Sequence, residues 1–336
     1  MKKIWFLYNV RHTYPDINDR STRHEADYSD GDEIVVMIQE IKKAWYDVLA
    51  IEANEEAYQL LRDAKHELLM VLNYSEGLGW ADRESQFPAL MEILSLPYTW
   101  SKPLAQSLML NKSKCNEILK ANGISTLRNK VVHNTHDMEG VEYIFPLIVK
   151  PLSQGSSIAI TNESVVYTLS DLTKQVDVLL GLWMWDVLIE QYIDWKELYV
   201  SMLWNPPQML PILEADYSIL PDQYMPINSL EVKWKYSNDI IKPANIDTQL
   251  EEKVGMLCRK ARDALWILDW CRFDVRCDKE NNPYILEVNS PAGITPSKLE
   301  QGYSSCFVLS SQIAWFTYQN MINKIIESAL QRYNIF

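Results

Sequence analysis

Residues 272–290 read RFDVRCDKENNPYILEVNS: two stretches of alternating polar and apolar residues flank a turn-forming DKENNP, and a chain containing them is expected to close an antiparallel hairpin there. Phe273, Val275 and Cys277 point one way and Arg272, Asp274 and Arg276 the other. On the return strand Glu287 and Asn289 share a face, because side chains repeat every second residue. If register brings that face beside Asp274, two carboxylates and an amide oxygen converge. Three oxygen ligands that leave water and phosphate positions open suit Mg²⁺, which dehydrates reluctantly. A solvated strand face bearing ordinary surface acids has the same pattern, so other segments have to decide.

The hairpin is a small part of the chain. At 336 residues the protein is too long for one ordinary domain and suits two or three of roughly 100–150 residues each. A hydrophobic content of 47%, with 12 Trp and 18 Tyr, is enough for packed cores and excludes disorder. The formal net charge of −13 argues against a nucleic-acid or membrane-surface role, since both need a basic face. A phosphate-bearing ligand would therefore be held by a few local cations. The five cysteines, Cys115, Cys258, Cys271, Cys277 and Cys306, lie in no metal-ligand spacing and read as reduced thiols of a cytoplasmic protein. The start, MKKIWFLYNVRHTYPD, reads as a first buried strand, its apolar run being too short for a signal peptide, and no stretch approaches the roughly 18 apolar residues of a membrane span.

Strands at 4–8, 46–51 and 68–73 alternate with helices at 32–46 and 55–65, which implies a parallel sheet covered on both faces. A helix is expected at 85–95, and a Pro-punctuated link leads into a helical stretch at 104–122. From Lys130 the pattern turns to strands at 129–132, 146–150, 157–160, 187–193, 197–204 and 209–213, with a helix near 170–181. Further helices are expected at about 247–268 and 307–331. The domains that follow are 1–105, an α/β unit; 106–193, a central unit; and 194–336, a C-terminal unit carrying the hairpin.

Two further segments carry chemistry. FPLIVKPLSQGSSIAI, residues 145–160, is an apolar strand ending in Lys150, then Gly155-Ser156-Ser157. A Lys at a strand end beside a small hydroxyl-bearing turn makes a phosphate clamp, since Gly lets backbone N–H groups approach an anion. It is not a Walker loop, because no GxxxxG precedes the Lys and no helix follows; a plain hairpin turn is the alternative. Asp186 to Ile193 and Trp195 to Val200 then supply strand, hinge and strand, with Glu190 and Glu197 seven apart, suited to an adenine edge and ribose hydroxyls.

In this order the pieces resemble the ATP-grasp superfamily, specifically the D-alanine–D-alanine ligase branch, most strongly over residues 84–299. RESQFPALMEILSLPYTWS, residues 83–101, is similar to the end of that family's first domain. The resemblance implies an α/β (α+β) ATP-grasp fold behind a parallel-sheet N-terminal domain. It also implies ATP with two Mg²⁺, Mn²⁺ being an option, and amide formation between small amino-acid-like substrates through an acylphosphate. Carried over residue by residue, Lys112 and Lys150 contact the phosphates and Gly155, Ser156 and Ser157 form the lid over them. Glu190, Gln191 and Ile193 face adenine, Glu197 the ribose, and Asp274, Glu287 and Asn289 the metal ions. Lys233 sits on a mobile loop that closes over the reaction. Arg272, with Lys233 and Ser156, forms the catalytic set, Arg272 stabilising the anionic intermediate.

The amino-acid half departs from the family. In place of a glycine-rich first turn and the Glu that holds the first substrate's amino group stands LYNVRHTYPD. NYSEGLGWADRE replaces a His-Gly-and-acid stretch and leaves Glu76, Arg83 and Glu84 as candidate substrate contacts. Trp234 stands where a Tyr follows the loop Lys. The closing motif is Asn289-Ser-Pro-Ala-Gly-Ile-Thr-Pro-Ser-Lys298, with Gly293, Ser297, Lys298 and Leu299 as further candidates. These departures favour a specialised amino-acid ligase of natural-product assembly; a cell-wall D-alanine–D-alanine ligase and a non-catalytic ATP-binding protein are the alternatives, and a homodimer is left open. His133 and His136 read as solvent-exposed rather than as a metal pair, and Trp183 and Trp185 as core or a domain contact.

Overall fold

The computed structural model describes residues 2–16, 19, 22–182, 186–296 and 305–335. The N-terminal unit runs β1 (Lys2–Tyr8), α1 (Gly31–Lys43), β2 (Tyr46–Glu52), α2 (Ala57–Asp63), β3 (Met70–Tyr74) and α3 (Gln86–Leu94). Its sheet is parallel with order β2-β1-β3, as the strand–helix alternation implies. Ile4, Trp5, Phe6 and Leu7 are all buried, which is why β1, covered on both faces, reads as an unbroken apolar run.

The expected helix at 104–122 is two, α4 (Pro103–Leu110) and α5 (Lys112–Ala121). Asn111 breaks it: at φ −87°, ψ 93° its backbone leaves the helix, and its side chain accepts the Lys114 N–H at 3.0 Å as the cap of α5. Lys112 thereby begins a helix.

The central unit holds β4 (Asn129–Val132), β5 (Leu147–Pro151), β6 (Val165–Val166), α6 (Leu169–Gly181) and β7 (Val187–Gln191), with sheet order β4-β7-β5-β6. Residues 157–160 are a turn and not the expected strand: Ser156, Ser157 and Ala159 have φ of 48°, 57° and 57°, incompatible with an extended ladder. Trp183 and Trp185 lie outside the described residues.

The C-terminal unit continues with β8 (Glu197–Leu203), β9 (Gln208–Met209), β10 (Leu213–Ala215), α7 (Leu230–Ile240), β11 (Ile241–Pro243), α8 (Thr248–Ala264), β12 (Trp270–Cys277) and β13 (Pro283–Asn289). Its antiparallel sheet runs β11-β10-β8-β12-β13, with β9 beside β8. The expected strand 209–213 is divided between β9 and β10, and Pro211, which has no N–H to donate, falls in the gap. Helix α7 was not expected, and it carries Lys233, which therefore does not sit on a loop. Phe273, Val275 and Cys277 are fully buried against α8 residues such as Val254 and Cys258, while Arg272 and Asp274 face away.

The closing helix is also two, α9 (Cys306–Ile313) and α10 (Tyr318–Arg332), parted at Trp315 (φ 66°) and restarted by the Thr317 cap. Met321, Ile322, Ile325 and Ile326 of α10 share a core with Ile4, Phe6, Met37 and Ile41, so the end of the chain packs on the N-terminal sheet rather than on the hairpin sheet. Fully buried Asp269 ties the two, accepting from the Trp100 N–H at 2.9 Å, Arg332 at 2.9 Å and Asn205 at 2.8 Å.

Candidate active site

The hairpin register answers the question the sequence left open. Asp274 pairs directly with Glu287 and Arg272 with Asn289, so the four side chains occupy one patch of one face. Arg272 clasps Asp274 with two bonds, 2.6 and 2.9 Å, and Lys112 approaches Glu287 at 3.5 Å from the first turn of α5. Enclosure in the cleft pushes the Asp274 carboxyl up to about 6 against the pull of Arg272. For Glu287 enclosure is outweighed by Lys112, Lys150, Arg272 and Lys233, which hold it below the ordinary range.

These donors fit a hard divalent cation. The Asn289 amide lies between Glu287 Oε1, to which its nitrogen donates at 3.3 Å, and Arg272 Nη2, from which its oxygen accepts at 3.0 Å. Two carboxylates and an amide oxygen on one face are the hard oxygen donors that such an ion takes, the Asn289 amide turning its oxygen to the ion when one binds. Asp274 would share its carboxylate between such an ion and Arg272.

Above this patch lies a two-lobed cleft. The smaller lobe, about 150 Å³, is lined by all of Lys112, Lys150, Gly155, Ser156, Ser157, Glu190, Gln191, Ile193, Glu197, Lys233, Arg272, Asp274, Glu287 and Asn289, drawn from both sheets and from α5 and α7. Several are already committed. Lys150 ion-pairs Glu190 at 2.6 Å, Glu190 being wholly buried and also reached by Asn116. Glu197 holds Arg276 at 2.7 Å and accepts from the Tyr199 and Tyr217 hydroxyls at 2.8 and 2.9 Å. Arg276 further bonds the carbonyls of Ile193, Trp195 and Pro226, fixing the hinge between β7 and β8. Its place beside Arg272 and Asp274 was visible in the alternation; its role was not.

The larger lobe, about 620 Å³, opens between the hairpin and the N-terminal unit and shares Lys112, Gly155, Ser156, Lys233, Arg272, Glu287 and Asn289 with the smaller. Enclosure lowers the Lys233 ammonium below its usual range, with Asp27 opposing and Arg272 assisting. Its N-terminal wall carries Glu76, Glu84 and Asp27, and Gly293 lines the opposite side. Burial pushes Glu84 up to about 7, and burial with repulsion from Glu84 and Asp27 raises Glu76 well above the carboxylate range. Arg83 does not line the cavity: only 3% exposed, it bonds Asp27 Oδ2 at 2.6 Å and the Ser153 carbonyl at 3.2 Å. Its guanidinium is thereby committed to the protein on two sides. Asp27 was missed, for nothing in RHEADYSDGDE sets it apart from its acidic neighbours. Ser297, Lys298 and Leu299 lie outside the described residues. His133 and His136 have separate partners, Asp186 at 2.5 Å and Glu139 at 3.0 Å, and both are mostly exposed. No helix of the described residues is long and apolar enough to cross a membrane.

Residues 113–327 match the family described as D-ala D-ala ligase C-terminus. The chain is 28% identical over 273 residues, 79% of its length and 75% of the relative's, to the uncharacterized protein y4sG of Sinorhizobium fredii. It is 25% identical over 323 residues, 94% of its length and 93% of the relative's, to a D-alanine–D-alanine ligase of Stutzerimonas stutzeri. Among solved structures, a D-alanine–D-alanine ligase from Bacillus anthracis complexed with ATP matches at a TM-score of 0.73 and 21% identity, covering 99% of each chain. The VanG D-Ala:D-Ser ligase from Enterococcus faecalis matches at 0.71 and 16%, covering 98% of this chain and 99% of that one. These likenesses identify the fold as that of the ATP-grasp ligases.

Proposed function

Because the chain belongs to the D-ala D-ala ligase C-terminus family, matching it over residues 113–327, we propose that it is an ATP-dependent carboxylate–amine ligase acting on small amino-acid-like substrates. The observation that carries this is the register of Asp274 on Glu287, which gathers two carboxylates and Asn289 in the smaller lobe, Glu287 and Asn289 lining both lobes, beside Lys112, Arg272 and Lys233.

A carboxylate is a poor electrophile and repels a nucleotide phosphate. In the reaction proposed, the terminal phosphoryl group passes to the carboxylate of one substrate; the amine of the second attacks the acyl carbon, and phosphate leaves to give an amide, ADP and phosphate. Bound Mg²⁺, two ions in this reading, would offset phosphate charge and polarise the transferred group. The chain's own residues do the rest. Lys112 and Lys150 face the phosphates, while Gly155 to Ser157 cover them. Arg272 and Lys233 offset charge that builds on the reacting carboxylate, and act more strongly in an enclosed cleft than in water. Glu190, Gln191 and Ile193 border the base and Glu197 the ribose, with the hinge held by Arg276.

On the substrate side, Glu76 and Glu84 form an acidic wall whose charge burial and mutual repulsion disfavour, so that an ammonium group on the carboxylate substrate would be bound by drawing them to the ionised form. That wall is not the family's usual one, which supports a specialised ligase whose substrates are not two D-alanines. A cell-wall D-alanine–D-alanine ligase is the second reading, favoured by the nearly full-length match to ligases of that name. Phosphate release measured over a matrix of amino-acid pairs, with ATP and Mg²⁺, tests both. Turnover above background with some pair is expected; none with any pair, in a chain that folds, would overturn the ligase reading.

A further inference from the structure

We propose that Arg83 and Asp27 brace the loop Ser153–Ser157 from the N-terminal unit, so that the cover over the nucleotide phosphates is positioned by residues outside the nucleotide-binding sheets. The inference rests on the nucleotide function proposed above.

The loop is strained by itself. Ser156 and Ser157 both have left-handed φ, 48° and 57°, at roughly 1–2 kcal/mol per residue bearing a side chain. Such a conformation persists only where its surroundings over-determine it. Here Arg83 Nη1 donates to the Ser153 carbonyl at 3.2 Å, Lys112 Nζ donates to the Gln154 carbonyl at 2.8 Å, and the Ser156 hydroxyl donates to Asp27. Asp27 also closes the space over Gly155: a Cβ there would lie 2.5 Å from Oδ1 and 2.8 Å from Oδ2, so only glycine lets the carboxylate sit against the backbone. The same guanidinium holds Asp27 Oδ2 at 2.6 Å, joining the two halves of the brace. In a trans peptide each carbonyl and the following N–H point in opposite directions. Fixing the carbonyls of residues 153 and 154 therefore fixes the N–H groups of residues 154 and 155, in the turn that faces an anion.

Burial disfavours the Asp27 charge, yet Arg83, the Ser156 hydroxyl, Lys233 and Lys112 outweigh it and hold the carboxyl below its ordinary range, so the ion pair is formed at neutral pH. Arg83 does not line the cleft and acts through the loop as a positioning residue; Asp27 lines the larger lobe and acts on the nucleotide cover in the same indirect way.

The test is calorimetric binding of ATP with Mg²⁺ to the full chain, which needs no amino-acid substrate, together with unfolding midpoints. Arg83→Met and Asp27→Asn are each expected to weaken nucleotide binding about tenfold or more, and the double variant no further than the weaker single, because both act on one brace. Affinities equal to wild type, or losses that multiply in the double variant, overturn the proposal. If Arg83→Met does not fold, the isosteric Asp27→Asn decides: a tenfold loss without a shifted midpoint supports the brace, and unchanged affinity refutes it. A wild-type chain that binds no nucleotide removes the functional reading and the brace with it. One that binds nucleotide but ligates no tested pair leaves the brace to be decided by the variants.

Discussion

Glu76 and Glu84 of the larger lobe are kept in the opposite way from the acids of the nucleotide lobe. In the nucleotide lobe each has a cation close by: Asp274 has Arg272 at 2.6 Å, Glu190 has Lys150 at 2.6 Å, Glu197 has Arg276 at 2.7 Å and Glu287 has Lys112 at 3.5 Å. Against the N-terminal wall, the only cation within ion-pair distance of Glu84 among the described residues is Arg83 at 3.9 Å, already bonded to Asp27, and Glu76 has none. A charge-balanced lobe is ready for a ligand that brings its own counter-ions. An unbalanced wall stores unfavourable energy that a cationic ligand group would release.

The largest effect should come from the balanced lobe. Asp274→Ala and Glu287→Ala each remove a proposed metal ligand from a face outside the core, so ligation is expected to fall at least about a thousandfold with the fold intact. Rates within a few-fold of wild type in either variant would falsify the metal assignment.

Lys150 separates charge balance from ligand binding. Lys150→Met leaves Glu190, wholly buried, without its cation, and breaking a buried pair costs about 3–5 kcal/mol. The change should therefore damage folding and not nucleotide affinity alone. Lys150→Met with Glu190→Gln should restore most of the stability while nucleotide binding stays weak. Denaturant midpoints and calorimetry read the two quantities, and a double variant no more stable than the single would show that Glu190 is not what the lysine balances.

How much of this was legible follows the same division. The hairpin is a period-two pattern, and alternation alone put Arg272, Asp274 and Arg276 on one face and Glu287 and Asn289 together on the return strand; the register that sets Asp274 against Glu287 came from the fold. The parallel N-terminal sheet announced itself through the apolar run of β1. Helix α7 did not, because Val232, Trp234 and Tyr236 alternate as a strand would, and only Val232 and Ile240 of its residues are buried, too few to print a helical stripe. SIAI at 157–160 is apolar enough for a strand, but neighbouring left-handed serines and a distant aspartate fix it as a turn. Asp27 and Arg83 meet only through the fold, in loops without period, so no local signal marked them.

The substrate wall gives the next effect in size. Glu76→Gln and Glu84→Gln keep shape and remove charge, and a charged hydrogen bond to a substrate ammonium contributes about 1.5–3 kcal/mol. Each is expected to raise KM for the carboxylate substrate roughly tenfold to a hundredfold with KM for ATP nearly unchanged. Equal increases in both would move these acids out of the substrate lobe and erase the contrast between the two regions.

The smallest effect is on stability, and it has a defined pH window. Glu84 rises from an ordinary 4.5 to about 7 in the folded chain, burial being the main cause and Arg83 working against it. A carboxyl with a raised folded value favours the folded state most below the unfolded value, and that contribution is lost as pH climbs through the folded one. Below about 4.5 the group is protonated in both states; between 4.5 and 7 the unfolded chain ionises first; above 7 the folded chain carries the charge at full cost. Glu84→Gln has no proton to lose. Without nucleotide or metal, it should match wild type near pH 4.5 and become the more stable by about 1–2 kcal/mol at pH 8, a bound set by partial solvent access and by Arg83 nearby. Denaturant midpoints across that range read the difference. Parallel curves for the two proteins would mean that the wall is balanced after all, and the proposed ammonium site would lose its energetic basis.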